Sequence, residues 1–217
     1  LIHIPYGLVS FQGQKLASRS GNMLFAKELL EEAIHRVSDI IAVKNPQLEN
    51  RDEIAKQVGI GAVIFHDLYN NRIKNVSFAW EQVLNFDGAT GPYIQYTCAR
   101  ANSILRKNDF KLQVYSLKPE ELLSYSKYYT ESCTKNVLIT MESYWRAVDE
   151  AAMRYEPCVI ARFSYALAQA FNQFYQECNI QNSEYELKQA RLLLTQLVLR
   201  TIQEAMSLLG IQSPDEM

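Results

Sequence analysis

The chain has 217 residues, 48% of them hydrophobic, and a formal net charge of −2, as expected of a globular protein with a sizeable core. No apolar run approaches the ~20 residues that a membrane-spanning helix requires, so we expect no membrane contact. The small net charge argues against a protein that binds nucleic acid over its whole surface, but it leaves room for a local basic face.

The cysteines and histidines predict no metal site. The four cysteines are scattered singly, without a CxxC pair, which argues against zinc and favours reduced thiols in the cytoplasm. The three histidines are equally isolated in the sequence, and we expect structural roles for them.

The first part of the chain predicts short strands followed by two helices. Residues 1–12 alternate loosely between apolar and polar side chains, which indicates one or two short strands. Apolar residues at helical spacing predict a helix over 23–43, with Asn22 as its N-cap. The same spacing returns over 51–68, although two glycines weaken the middle of this second helix.

A turn-rich stretch at 71–93 is the best candidate for a domain boundary, because glycine and proline cluster near its end. Every later segment has helical spacing, and amphipathic helices with short links predict an antiparallel bundle. The expected helices begin at Pro92 and at Pro119, cover 138–152 and 160–178, and end with one that runs from a capping box of Ser183 and Glu186 to Gly210.

The junction between the first strands and the first helix has the sequence QGQKLASRSGN, at residues 12–22. Serine, glycine and asparagine are common in any turn, so a plain surface loop explains this stretch. The alternative is a phosphate-binding loop, because cations and hydroxyl groups at a helix N-terminus can hold a triphosphate and stabilise charge at phosphorus. The loop by itself does not decide between these interpretations.

Three stretches, in the same order, resemble arginyl-tRNA synthetases. The junction is similar to the Lys-Met-Ser-Lys-Ser signature of this family: Lys15, Arg19 and Gly21 match, whereas Ser20 replaces a usual lysine. The stretch GATGPYIQYTCARANSIL, at 88–105, resembles the family's Gly-x-Thr-x-Pro-Tyr-x-Gln-Tyr segment. The ending LLGIQSPDEM resembles the family's C-terminus. The resemblance covers essentially the whole chain.

The resemblance implies a mainly α protein of three parts. Residues 1–22 would be the end of a Rossmann-type catalytic domain and would carry the signature loop. Residues 23–85 would be a helical region that contacts the tRNA stem. Residues 86–217 would be an antiparallel helix bundle, the DALR-type anticodon-binding domain. The sequence starts at Leu1 rather than at a methionine, and we expect a C-terminal fragment of a longer enzyme.

The resemblance also implies a reaction. Arginyl-tRNA synthetases join L-arginine to tRNA(Arg) with ATP and Mg²⁺ and release AMP and pyrophosphate. Lys15 and Arg19 would stabilise the charge that develops on the phosphates, and Ser18 and Gly21 would add hydrogen bonds to ATP. The His-Ile-Gly-His signature is missing from the sequence, so we expect this portion alone to be inactive. The alternative is a stand-alone, non-catalytic tRNA-binding module derived from a synthetase.

The tRNA contacts implied by the resemblance lie in the helical part. Tyr175 and Met217 match residues that build the family's anticodon pocket. For Tyr96 we expect packing inside the bundle rather than contact with RNA. We expect a cytoplasmic monomer whose partner is tRNA(Arg). Five cations are candidates for phosphate contacts, each with an alternative role on a solvated helix surface: Arg100, Arg106, Lys107, Lys188 and Arg191.

Overall fold

The computed structural model describes residues 1–11, 13–15, 25–110 and 118–217. Helices dominate these residues, which confirms the expected mainly α fold, and none of the helices found there is long and apolar enough to cross a membrane. The elements are β1 (Val9–Phe11), β2 (Gln14–Lys15), α1 (Ala26–Lys44), α2 (Arg51–Tyr69), β3 (Val76–Phe78), α3 (Trp80–Val83), α4 (Gly91–Lys107), α5 (Pro119–Ser124), a 3₁₀ turn (Ser126–Tyr128), α6 (Ser132–Glu142), α7 (Tyr144–Arg154), α8 (Cys158–Glu177) and α9 (Tyr185–Leu208).

The short strands form a small sheet in the order β2–β1–β3. β1 is antiparallel to β2 and parallel to β3, so that Phe11 lies beside Phe78. Just before β1, the Gly7 amide donates a hydrogen bond to the Arg72 carbonyl at 2.7 Å. A Cβ on Gly7 would lie 2.1 Å from the Lys74 carbonyl oxygen, so this close approach requires glycine. The sheet therefore ties the N-terminal segment to the connection between α2 and α3.

Helices α1 and α2 pack against each other around their own apolar core. Ala33 and Val37 from α1 and Ala55 and Val58 from α2 are fully buried there. A Cβ on Gly59 would lie 2.9 Å from the Ala33 carbonyl carbon, so the two backbones touch at this point. The glycine that weakens α2 as an isolated helix is thus the residue that lets α1 approach it.

Helices α4, α6, α7, α8 and α9 form the bundle predicted for the second half of the chain, and α8 packs against each of the other four. Phe65 of α2 also lies in this core, so α2 contributes to both cores and joins them. Burial of each large apolar side chain contributes roughly 1.5–3 kcal/mol. The predicted domain limits at 22 and 85 stay predictions. Fully buried side chains of the bundle core include Phe65, Ile94, Leu167, Phe171, Phe174, Leu194, Ile202 and Met206.

Helix α1 starts later than the apolar spacing predicts. It begins at Ala26 rather than at 23, and Phe25 is its N-cap, with extended backbone at φ −79° and ψ 140°. The Phe25 amide donates to the Glu28 carboxylate at 3.4 Å, which links the start of the helix to its first turn. Asn22, the predicted N-cap, lies outside the described residues.

The capping box predicted at Ser183 is wrong. Helix α9 begins at Tyr185, and its N-cap is Glu184. The Ser183 hydroxyl has other partners: it donates to the Asn179 carbonyl and accepts a hydrogen bond from Arg191 Nη1 at 2.6 Å. Arg191, two turns into α9, therefore bonds to the Ser183 hydroxyl that the sequence predicts as the cap of the helix N-terminus.

The single run of helical spacing predicted over 138–152 is two helices, α6 and α7. They meet at Ser143, whose hydroxyl donates to the Thr140 carbonyl at 2.7 Å, a local bond that competes with a continuous helix. The spacing also places Trp145 on the buried side, but its side chain is 71% exposed. The break between the helices changes which side chains face the core.

Candidate nucleic-acid interface

A cavity of about 830 Å³ lies where α4, the end of α8, the α1–α2 connection and the C-terminal tail meet. Its lining includes Tyr96 and Arg100 from α4, Tyr175 from α8, Leu48 from the connection and Met217 from the tail. Tyr96 and Tyr175 are 42% and 43% exposed, so both rings are accessible to a planar ligand. Tyr175 and Met217, which the resemblance assigns to one pocket, line the same cavity.

The Arg100 guanidinium lies against two tyrosine rings. Its Cζ is 4.9 Å from the ring centroid of Tyr96 and 5.3 Å from that of Tyr175, both within cation–π distance. Tyr96 and Arg100 are one turn apart on α4, and Tyr175 comes from α8. The cavity wall thus presents a guanidinium flanked by exposed aromatic surface.

Asn172 holds Arg100 in this position. Its Oδ1 accepts a hydrogen bond from Arg100 Nη1 at 2.7 Å. Its Nδ2 donates to the Tyr93 hydroxyl at 2.9 Å and to Thr97 Oγ1 at 3.0 Å. One amide therefore connects α8 with three side chains on successive turns of α4. These contacts hold the Arg100 guanidinium in one position, and a side chain that is already held loses less entropy on binding.

The C-terminal tail reaches the cavity because the buried side chain of Gln95 holds it. Gln95 Nε2 donates to the Gln212 carbonyl at 2.7 Å and to the Gln57 carbonyl at 3.0 Å. A Cβ on Gly61 would lie 2.6 Å from this nitrogen, so glycine at that position makes room for the amide. Beyond Gln212 the tail continues to Met217, which packs against the α1–α2 core.

Residues 94–217 match the DALR anticodon binding domain family. The chain belongs to this family. Residues 1–80 match a second family, described as the catalytic domain of class I (R) tRNA synthetases. The matched segment thus contains α5 to α9 and all but the first three residues of α4, and most of the cavity wall comes from it.

Arginine–tRNA ligases are similar to this chain over nearly all of its length. The chain is 43% identical over 218 residues to that of Enterococcus faecalis and 40% identical over 215 residues to that of Alkaliphilus metalliredigens. Each comparison covers 99% of this chain but only 36% and 37% of the respective relative. The chain therefore spans little more than a third of the curated relatives it matches.

Solved structures agree with these relatives. The arginyl-tRNA synthetase of Thermus thermophilus superposes with a TM-score of 0.84 at 30% sequence identity, covering 99% of this chain and 35% of that one. The Plasmodium falciparum structure gives 0.78 at 21% identity over the same 99% of this chain, which supports the fold alone. Together these proteins confirm the predicted resemblance to arginyl-tRNA synthetases.

Two of the predicted phosphate-binding cations of the DALR domain lie at the mouth of the cavity. Arg106 and Lys107 are exposed at the end of α4, and both line the cavity. Arg106 Nη2 is 3.5 Å from Glu216 Oε2, and the two side chains are 59% and 43% exposed. Such an exposed ion pair contributes only ~0–1 kcal/mol, so a phosphate group can compete with Glu216 for the arginine.

Arg100 also lines the cavity, and the remaining two of the five predicted cations are placed differently. Lys188 lies near the start of α9 and is not among the described residues that line the cavity. Arg191 is 8% exposed, and its guanidinium bonds to Glu131 at 2.6 Å and to the Asn179 carbonyl at 2.9 Å. Burial would raise the pKa of Glu131, but hydrogen bonds to its own backbone amide and to Arg191 lower it overall. Arg191 supports the turn at Asn179 from behind the cavity wall, and phosphate contacts of both cations stay predictions.

The predicted phosphate loop lies mostly outside the described residues. Lys15 is the second residue of β2 and faces Ser10 of β1, with its backbone alone described. Ser18, Arg19 and Gly21 lie beyond the described residues. ATP binding by these four residues stays a prediction.

The sequence analysis missed two residues at this site. The sequence predicts packing for Tyr96, but its ring is exposed on the cavity wall. Its position one turn before Arg100 is the signal that could have identified it. Asn172 belongs to none of the three stretches that resemble the family, and its only signal is a position three residues before Tyr175 on the same helix.

Proposed function

We propose that this chain is the C-terminal part of an arginine–tRNA ligase and that its cavity binds the anticodon loop of tRNA(Arg). The observation that carries the proposal is the Arg100 guanidinium held against the half-exposed rings of Tyr96 and Tyr175, beside Met217. Anticodon loops are recognised as unstacked bases that stack on aromatic or guanidinium planes and form hydrogen bonds at their edges. This cavity supplies both kinds of surface within one domain.

The charge distribution fits the same ligand. Arg100 has N–H groups beyond the one bonded to Asn172, and these can donate to a base edge or a phosphate. Arg106 and Lys107 at the mouth add two cations that a loop backbone would pass. The interface is small and local, which reconciles RNA binding with a net charge of −2.

The catalytic part of the proposal concerns the parent enzyme, which uses ATP, Mg²⁺ and L-arginine in the cytoplasm. Lys15 and Arg19 would stabilise charge on the phosphates, with Ser18 and Gly21 as hydrogen-bond donors. Removal of one such donor typically lowers the rate on the order of a hundredfold or more. These 217 residues contain no His-Ile-Gly-His signature, so we expect no ATP–pyrophosphate exchange with arginine and tRNA from them alone.

A stand-alone tRNA-binding module is not favoured. The first 80 residues match a synthetase catalytic domain, and their β1 strand pairs with β3 inside the same sheet. A pure RNA binder would have little use for this portion. We further propose that the protein acts as a monomer.

Binding of tRNA to Tyr175→Ala tests the proposal. Stacking is worth roughly 1–3 kcal/mol per base, so we expect the Kd for tRNA(Arg) to rise roughly five- to a hundredfold in filter binding. Tyr185→Ala is the matched control. Tyr185 is 76% exposed on α9, and it is not one of the described residues that line the cavity. An equal Kd for both variants, or equal binding of a tRNA with a replaced anticodon, would overturn the proposal.

A further inference from the structure

The exposed face of α8 continues away from the cavity as a line of polar and aromatic side chains. We define the α8 stripe as Arg162, Gln169 and Gln176, which are exposed, recur every seven residues and therefore share one helix face, with the half-buried Tyr165 beside them. Gln176 lines the cavity. At about 1.5 Å per residue, the stripe extends ~21 Å from Gln176 to Arg162.

The far end of the stripe is a cationic group on an aromatic cluster. The Tyr165 ring lies edge-on to Tyr93 at 5.5 Å and to Tyr69 at 6.3 Å, measured between centroids. The Arg162 Cζ is 5.8 Å from the Tyr69 centroid. Arg162 is exposed, and none of the ion pairs found within the described ranges includes it. Its charge is therefore available to an anion from outside.

The stripe also points toward the N-terminal part of the chain. Helix α8 starts at Cys158, two residues after Glu156, which accepts a hydrogen bond from Asn71 Nδ2 at 2.8 Å. Pro157 shares a second cavity with Tyr6 and other residues of the segment that matches the synthetase catalytic domain. An RNA that occupies the anticodon cavity and also reaches the catalytic domain would follow this direction.

We propose that the α8 stripe is a second RNA contact, on which the sugar–phosphate backbone next to the anticodon loop lies, with Arg162 neutralising one phosphate. This inference rests on the proposed function, because the RNA strand enters the stripe from the cavity at Gln176. A stacked strand advances ~3.4 Å per nucleotide, so the stripe spans roughly six nucleotides. Polar Gln169 and the half-buried Tyr165 give the strand a surface for sugar and hydroxyl contacts along its path.

The salt dependence of tRNA binding to Arg162→Ala tests the inference. Each phosphate contact contributes a slope of about −0.7 to −0.9 to log K against log salt, so the slope should become shallower by about this amount. The Kd at low salt should rise several-fold. Arg162→Lys should retain the slope, because it keeps the charge.

Arg146→Ala is the matched control, since Arg146 is exposed on α7 and the substitution removes the same positive charge. We expect wild-type slope and affinity for this variant. If Arg162→Ala and Arg146→Ala behave alike while Tyr175→Ala loses affinity, the RNA contact proposed for the α8 stripe is wrong. The proposed binding of the anticodon loop in the cavity is then unaffected. If Tyr175→Ala binds like the wild type, the proposed function itself fails. Weaker binding by Arg162→Ala with an unchanged slope would also overturn the phosphate contact.

Discussion

Gln95 donates its side-chain amide to the Gln212 carbonyl at 2.7 Å and so joins two positions 117 residues apart in the chain. The second amide proton goes to the Gln57 carbonyl at 3.0 Å. One buried side chain therefore holds α4, α2 and the C-terminal tail together. Met217 reaches the cavity wall because the tail is fixed at this point.

Replacement of Gln95 by leucine should loosen the tail. Gln95→Leu keeps the approximate volume but removes both hydrogen bonds, and unpaired buried groups cost about 1–3 kcal/mol. We expect the free energy of unfolding in urea to fall by this amount and the Kd for tRNA(Arg) to rise. Gln173→Leu, at an exposed site on α8, should change stability by less than about 0.5 kcal/mol. Wild-type stability of Gln95→Leu would contradict this role.

Asn172 should affect RNA binding through Arg100. Asn172→Ala removes the acceptor that holds Arg100 Nη1, so the guanidinium gains freedom that binding must then restrict. We expect a several-fold rise in the Kd for tRNA(Arg). In a double-mutant cycle, Asn172→Ala should add little to Arg100→Ala, because both changes remove the same interaction. Fully additive effects would show that Asn172 acts independently of Arg100.

Glu156 should be a strong stability determinant between the two parts of the chain. It is 5% exposed and accepts hydrogen bonds from Asn71 Nδ2 at 2.8 Å and from the Arg72 amide at 3.1 Å. The Arg72 guanidinium also donates to the Pro5 carbonyl at 3.2 Å, so the N-terminal segment joins the same network. Glu156→Ala leaves these donors unpaired, and we expect a loss of about 2–4 kcal/mol in the free energy of unfolding.

Glu150→Ala is the control for this change. Glu150 pairs with Arg154 one turn away on α7, and its side chain is 41% exposed. Such a pair contributes only about 0.3–0.5 kcal/mol, so urea denaturation should hardly distinguish this variant from the wild type. Equal losses for Glu156→Ala and Glu150→Ala would rule out the buried network as a source of stability.

His66 should make the fold less stable in mild acid. Its ring lies edge-on to Phe78 at 5.6 Å, and its Nε2 is buried without a partner among the described residues. Burial lowers the pKa of His66 below its ordinary 6.5, although a hydrogen bond with the Ser77 backbone and the charge of Asp67 oppose this. The unfolded chain takes up the proton first, so stability is full above pH 6.5 and falls as the pH drops below it.

The slope of this dependence is at most about 1.4 kcal/mol per pH unit for one group. Urea denaturation between about pH 5 and pH 7 measures it, above the range in which carboxylates titrate. His66→Gln should flatten the dependence, whereas His35→Gln, at a side chain that is 74% exposed on α1, should not. A wild-type slope in His66→Gln would assign the effect to another group.

Much of the helical architecture could be predicted from local sequence. Helices α2, α4 and α8 follow the apolar spacing of their residues, because burial of one face imposes that spacing on any helix. The motif at 88–105 and the C-terminal LLGIQSPDEM were sufficient for the family resemblance. Met217, which the resemblance assigns to the anticodon pocket, lines the cavity, whereas the contact of Gln95 with the tail was not predicted.

The sequence by itself determined most of the helices, the apolar faces of the long ones and the family resemblance. Only the tertiary structure decided how polar groups pair between helices: Asn172 with Arg100, and Arg191 with the Ser183 hydroxyl that was expected to cap α9. The physical reason is that periodicity specifies which face of a helix is buried, while a hydrogen bond between helices depends on their relative rotation and crossing. The exposed ring of Tyr96 beside Arg100 is set by that packing.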